Sequence, residues 1–335
     1  MKKLLLALIA VALVNLSFAQ DTIINGIKYP EPVNFTAHQN QENMMQQLGI
    51  KKLRPGPSGN ESAPNHANYD TTKADPCLQL PDILTLKNGK KVIAQTSTTW
   101  NGKSCAVVLT YDDGLNVDLT NVIPALDSVG LKGTFYISDD FDGLKNQIDG
   151  WRKAAKEGHE LGNHTVWHPC EGGRPGREFV KPDVDLNNYT VNRMVKEIKT
   201  MNNILKAIDG KTERTFAYPC GDMKIHDTVY LDGLKNDFVS ARGVTPAMQT
   251  IDKVDLYNVD CYGINGETGE QLINLVKQAM NTHTLLVFLF HGVGGHSLNV
   301  SLDAHSQLLH FLQQNEKSIW IAPMIDVAKY IQQHQ

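Results

Sequence analysis

One stretch constrains the fold more than any other. The apolar, β-branched run Val107-Val108-Leu109-Thr110 leads through Tyr111 into two adjacent carboxylates and a glycine, Asp112-Asp113-Gly114. Such a run reads as a strand buried on both faces, which requires a parallel sheet covered by helices. A buried strand has no packing use for paired carboxylates at its tip. Like charges that close shift each other's pKa, and they persist where a cation or a reaction uses them. In α/β folds the C-terminal tips of strands are where ligands sit. Taken alone, the segment also fits a solvated Asp-Asp-Gly turn.

The downstream sequence weighs against that turn. Asn163-His164-Thr165-Val166-Trp167-His168-Pro169 holds two histidines four residues apart. With an aspartate from another strand they make a His2Asp set, three protein ligands with a fourth position open, as in catalytic zinc. Then come Thr215-Phe216-Ala217-Tyr218-Pro219-Cys220-Gly221-Asp222, Leu256-Tyr257-Asn258-Val259-Asp260 and Leu285-Leu286-Val287-Phe288-Leu289-Phe290-His291-Gly292. Each reads as an apolar strand with a polar residue after it.

These five stretches, in this order, resemble the five motifs of the polysaccharide deacetylase family, also called carbohydrate esterase family four. The resemblance covers about Cys105 to Tyr330. It is close at Tyr111-Asp112-Asp113-Gly114, at His164-x-x-x-His168 and at Leu289-Phe290-His291. It is looser elsewhere. Where the family's third motif carries an arginine that tunes the base, this chain has Ala217. Where a tryptophan follows the aspartate of the fourth motif, this chain has Cys261-Tyr262 after Asp260.

The resemblance implies a site. Asp113, His164 and His168 hold a divalent metal, zinc foremost, with cobalt or nickel as alternatives. Asp112 is the general base and the Cys220 backbone N–H helps hold the oxyanion. His291 protonates the leaving group and Asp260 orients His291. A zinc so held lowers the pKa of water to about 7 and polarises a carbonyl. Ala217 cannot restrain Asp112 as the family's arginine does, which leaves Asp222 or a water for that corner. His296, His305 and His310 lie beyond the last motif and read as surface or packing residues.

Between the motifs the chain alternates strands and helices. Helices are expected at Asn121–Val129, Ile148–Glu157, Thr190–Ile208 and Glu270–Met280, with strands at Gly133–Ile137 and Ile319–Ile321 and a terminal helix from Val327. In the longest helix Val191, Met194, Val195, Ile198, Met201, Leu205 and Ile208 form one apolar stripe, a core face. Alternation of this kind implies a parallel sheet with right-handed crossovers. Resemblance sharpens the fold class to α/β, a distorted (β/α)7-type barrel with a loop-rich N-terminal extension.

Residues 1–19 read as a signal peptide: Lys2 and Lys3, an apolar run from Leu4 to Val14, then Ser17-Phe18-Ala19. That run is short for a membrane span, so the expected location is secreted or periplasmic. Residues 20–102 form the N-terminal extension and 103–335 the catalytic domain. The extension carries a helical stretch around Asn43 to Leu48 and a hairpin signal from Leu84 to Ile93 around Asn88-Gly89. Its segments Glu42–Ile50, Arg54–Asn60 and Ala67–Asp70 resemble the lead-in of bacterial glucuronoyl and xylan esterases. The nucleophile elbow of those enzymes, Gly-x-Ser-x-Gly, does not occur. Cys77, Cys105, Cys170, Cys220 and Cys261 allow two disulfides at most. Cys170 and Cys220 both flank site residues and could staple the site; five reduced thiols fit equally well. A formal net charge of −4 with no basic cluster excludes a nucleic-acid footprint.

Two classes of function fit. One is a metal-dependent hydrolase that removes acetyl groups from a glycan. The other is a carbohydrate-binding pseudoenzyme, which the altered third and fourth motifs invite. Within the first class the expected partner is an acetylated polysaccharide or oligosaccharide. O-acetyl groups of xylan are favoured by the N-terminal resemblance, by the open groove a missing tryptophan implies, and by weaker restraint of Asp112. N-acetyl groups of chitin-like or peptidoglycan glycans are the alternative.

Overall fold

The computed structural model describes residues 22–24, 27–29, 36–53, 56–60, 62–66 and 100–335. The signal-peptide segment and the expected Leu84–Ile93 hairpin lie outside the described residues. The chain divides into two units, Met1–Ile83 and Leu84–Gln335.

In the first unit, β1 (Thr22–Ile24) and β2 (Ile27–Tyr29) pair antiparallel. They are followed by α1 (Ala37–Gln47). Thr36 and Gln39 cap α1 reciprocally: each side chain accepts the other's backbone N–H. The helix therefore begins six residues before the expected start at Asn43. It buries none of its residues.

The second unit is built around one sheet. Its strands are β3 (Cys105–Asp113), β4 (Thr134–Ile137), β5 (Glu160–Asn163) and β6 (Thr215–Ala217). A small hairpin, β7 (Lys224–Ile225) and β8 (Thr228–Val229), stands apart. Then come β9 (Ser240–Arg242), β10 (Tyr262–Gly263), β11 (Leu285–Phe290) and β12 (Ile319–Ile321). The sheet order is β10-β11-β3-β4-β5-β6-β9, every pair parallel. One edge of β3 is shared: its first residues pair with β12 and its last with β4. The sheet curls into a half-barrel, the distorted (β/α)7-type barrel expected. All nine residues of β3 are buried, as a strand covered on both faces must be.

Helices fill the crossovers: α2 (Ile123–Ser128), α3 (Asp142–Lys145), α4 (Ile148–Lys156), α5 (Val191–Asp209), α6 (Gly269–Thr282), α7 (Leu302–Gln314) and α8 (Met324–His334). A π-helical turn, Asp118–Val122, leads into α2 where an unbroken helix from Asn121 was expected. The Thr190 side chain caps α5, and Gly210 ends it in the left-handed conformation at φ 75°. Met194, Ile198, Met201, Leu205 and Ile208 bury its apolar stripe, each contributing roughly 1.5–3 kcal/mol.

Two segments depart from expectation. Leu256–Asp260 is not a strand. Asp255 draws the chain into a turn, accepting from the backbone N–H groups of Tyr257 and Asn258, and only Val259 bridges β9. Residues 256–263 thereby cross from β9 to β11: Leu256 and Val259 bond to Ala241, and β10 pairs with β11. The second departure is α7, which went unread; Ser301 caps it, and it buries Ala304, His305, Leu308, Leu309 and Leu312. Among the described residues no helix is long and apolar enough to cross a membrane.

Candidate active site

The site assembles where β3, β5, β6, β9 and β11 end. At the tip of β3 the backbone of Asp113 turns left-handed, φ 75°, and Gly114 continues the turn at 72°. A non-glycine residue held there is strained, and such strain gathers at functional sites. It brings the Asp113 carboxylate toward the loop that follows β5.

That loop carries His164 and His168. It too is irregular, with Thr165 at φ 65° and His168 at 47°, so the two histidines do not share a helix face. Buried polar groups hold its shape. Asn163 accepts from the Thr165 N–H and donates to the Ile198 carbonyl and Asn202. Thr165 Oγ1 accepts from the His168 N–H at 3.0 Å, and Glu197 of α5 accepts from Trp167 N–H at 2.9 Å. Glu197 is thus a buried carboxylate of α5 that serves the loop.

His164 Nε2 and His168 Nε2 lie 3.6 and 3.5 Å from Asp113 Oδ1. One ligand atom from each of the three residues falls within 4.8 Å of the others. Asp113 Oδ1 is buried and has no hydrogen-bond partner, an arrangement that costs free energy unless a cation completes it. His164 Nδ1 donates to the Ala217 carbonyl at 2.8 Å, which leaves the Nε2 lone pair facing Asp113. Burial pushes the His164 ring down to about 4, and burial together with His164 lowers His168 well below its ordinary value. Both rings are neutral near pH 7, as metal ligands must be. Asp113 is raised by burial and by Asp112, a penalty that a cation would relieve. The residues present fit a divalent ion.

Asp112 stands beside this set, its Oδ2 3.8 Å from His164 Nε2. Burial, the largest single influence, opposes its charge, but Arg242, His164 and His291 together outweigh it, and the carboxyl titrates below the usual range. Arg242, at the end of β9, is fully buried and donates to Asp112 Oδ2. Its other side-chain hydrogen bonds go to the Gly243 carbonyl at 2.8 Å and Cys261 Sγ at 3.5 Å. Asp222 does not fill the corner left by Ala217. Asp222 is engaged by Arg177 at 2.6 Å and by the Glu171 N–H at 2.8 Å. Arg242 was missed because a three-residue strand, Ser240-Ala241-Arg242, has no apolar pattern to announce it.

His291 follows β11, on the other side of β3 from β5. Burial lowers its pKa while Asp112 raises it. Its Nδ1 has no hydrogen-bond partner. Asp260 does not orient it: Asp260 accepts from Gln249 Nε2 at 3.0 Å, because the turn at Asp255 carries it toward that side chain. Cys170 and Cys220 form a disulfide that ties the His168 loop to the loop after β6. Cys220 sits at φ 54° within that second loop. Cys105 and Cys261 are free and buried. His305 packs inside against Tyr111, while His296 and His310 are exposed. A cavity of about 480 Å³ between Arg214, Lys235 and Tyr257 opens at the N-terminal ends of β6 and β9, away from Asp112 and Asp113.

The polysaccharide deacetylase family model matches residues 101–236. The peptidoglycan-N-acetylmuramic acid deacetylase PdaA of Bacillus subtilis is 27% identical over 120 residues, 36% of this chain and 39% of that protein. YheN of Bacillus subtilis, described as a polysaccharide deacetylase, is 35% identical over 90 residues, 26% of this chain and 31% of that protein. The chain thus spans about a third of the length of these curated relatives. A crystal structure from Mycobacterium smegmatis, likewise described as a polysaccharide deacetylase, superposes with TM-score 0.50 at 16% identity, covering 69% of this chain and 91% of that one. The polysaccharide deacetylase match begins just ahead of β3 and takes in both histidines and the loop after β6, and the Mycobacterium smegmatis structure shows a fold of the same kind.

Proposed function

We propose that this chain is a secreted or periplasmic metal-dependent hydrolase that removes acetyl groups from a polysaccharide. The observation that carries the reading is the Asp113, His164 and His168 set, with Asp112 beside it in the same buried corner. A divalent ion at that set, zinc first, supplies a more acidic water and a Lewis acid for the acetyl carbonyl. Asp112 offers Oδ1, buried and free of hydrogen bonds, to take a proton from the attacking water. His291 gives a proton to the departing oxygen or nitrogen. The Cys220 N–H, in a loop fixed by the disulfide, is assigned to the developing oxyanion. Trp167 and Phe179 remain exposed on the segment after β5, apolar surface of the kind found at ligand rims.

The N-terminal resemblance directs the substrate to O-acetyl groups of xylan. Arg242 restrains Asp112, so the base's restraint does not favour an ester over an amide. PdaA of Bacillus subtilis, named for its action on peptidoglycan, motivates the second reading, N-deacetylation of a peptidoglycan-like glycan. Acetate release from acetylated xylan, N-acetylglucosamine oligomers and peptidoglycan, at equal acetyl concentration and with and without chelator, tests all of this. Faster release from either N-acetylated substrate promotes the second reading. No release from any of them, with binding retained, leaves the pseudoenzyme.

A further inference from the structure

Two departures from the family pattern, Ala217 and Cys261, have one explanation in the sheet. Ala217 and Arg242 are register partners on the neighbouring strands β6 and β9. Paired residues of adjacent parallel strands stand side by side, about 4.8 Å apart, with side chains toward the same face. The arginine lies one strand over from Ala217, on the same rung.

The same guanidinium that reaches Asp112 lies against Cys261, the residue after Asp260. Cys261 is fully buried, its Sγ lies 3.5 Å from Arg242 Nη1, and it donates to the Gly243 carbonyl at 3.3 Å. A tryptophan there would fill the space the guanidinium occupies. Tyr136 lies beneath, the guanidinium carbon 5.2 Å from its ring centre. The guanidinium is thus held by Gly243, Cys261 and Tyr136 while Nη2 grips Asp112 Oδ2. The other oxygen, Oδ1, is left buried and free.

We propose that Arg242 is the positioning residue for Asp112 in this chain, and that Ala217 and Cys261 are the small residues that admit it. The proposal rests on the reading of Asp112 as the base. It makes the altered third and fourth motifs two halves of a single relocation. It also places a guanidinium, in place of an indole, at the base's side of the site.

The test compares wild type, Arg242→Met, Cys261→Trp and the exchange variant Ala217→Arg/Arg242→Met, each loaded with zinc and normalised to bound zinc. Arg242→Met is expected to lower kcat at least ~100-fold, the size of a general-base contribution, with KM changed less than about threefold and zinc retained. A role confined to folding would lower the zinc-loaded fraction and leave kcat per site unchanged. The exchange variant returns one arginine to the same rung and is expected to recover at least tenfold in kcat. It also keeps the test decisive where Arg242→Met fails to fold, since the exchange must then fold and turn over. Cys261→Trp is expected to lower kcat by displacing Arg242. Wild-type kcat in Arg242→Met, or an exchange variant no better than Arg242→Met, overturns the proposal. Absence of acetate release by wild type sinks the deacetylase reading instead. The arginine is then judged by melting temperature: a loss on the order of 10 °C in Arg242→Met, recovered by the exchange, upholds the pairing, and no recovery rejects it.

Discussion

His164 Nδ1 donates to the backbone carbonyl of Ala217 at 2.8 Å, so a strand that lost its motif arginine still fixes the tautomer of a metal-ligand candidate. The bond points Nε2 at Asp113 and sets the ring's orientation. His164→Ala is expected to lose both bound zinc and activity. Elemental analysis after dialysis reads the first and acetate release the second. Full zinc occupancy in the purified variant would show that the ion is held elsewhere.

Asp112 and His291 are expected to separate binding from chemistry. Asp112→Asn keeps the His2Asp set and should retain zinc while losing at least ~100-fold in kcat. His291→Ala should also retain zinc, with a larger loss on substrates whose leaving group is poor. Equal losses on activated and unactivated acetyl esters would remove His291 from the role of proton donor.

The parts of this site that could be read along the chain were those whose signal is local. The buried run of β3 announces its strand, its carboxylates and the sheet type together. His164 and His168 stand four residues apart, and the stripe of α5 repeats every turn. Arg242 and Asp112 are 130 residues apart, and their meeting depends on β9 lying three strands beyond β4 in the sheet. No spacing encodes that order. Asp260 failed for a related reason: its role came by resemblance, while the local Asp255 turn sends it to Gln249. In α7 the stripe was present but its cap, Ser301, sits in a glycine- and serine-rich stretch that reads as loop.

The disulfide ties together two segments 50 residues apart, and Cys170 lies two residues from His168. Closing a loop of that length removes denatured-state entropy worth about 4 kcal/mol in the chain-entropy model. Cys170→Ser/Cys220→Ser is therefore expected to lower the urea midpoint strongly and to weaken zinc binding by loosening the His168 loop. Treatment of wild type with a dithiol should reproduce both effects. Unchanged zinc affinity in the double variant would confine the disulfide to stability.

His305 of α7 lies in the core, its Nε2 2.8 Å from the Tyr111 hydroxyl and its ring edge-on to Tyr111 and Phe290. Burial pushes its pKa from the ordinary 6.5 down to about 4. Between those values the unfolded chain binds a proton that the folded chain refuses. Stability from this residue is complete above about pH 6.5 and falls as pH drops toward 4, by roughly 3 kcal/mol in all. His305→Phe keeps a ring in the same space and cannot take the proton. It also strips Tyr111 of its partner, a cost that is the same at every pH in this range. Urea unfolding of both proteins at pH 7.5 and 4.5 isolates the effect, because carboxylates shared by the two cancel in the difference. Wild type is expected to lose about 2–3 kcal/mol more than His305→Phe across that interval. Equal losses would mean that the buried ring accepts its proton as readily folded as unfolded.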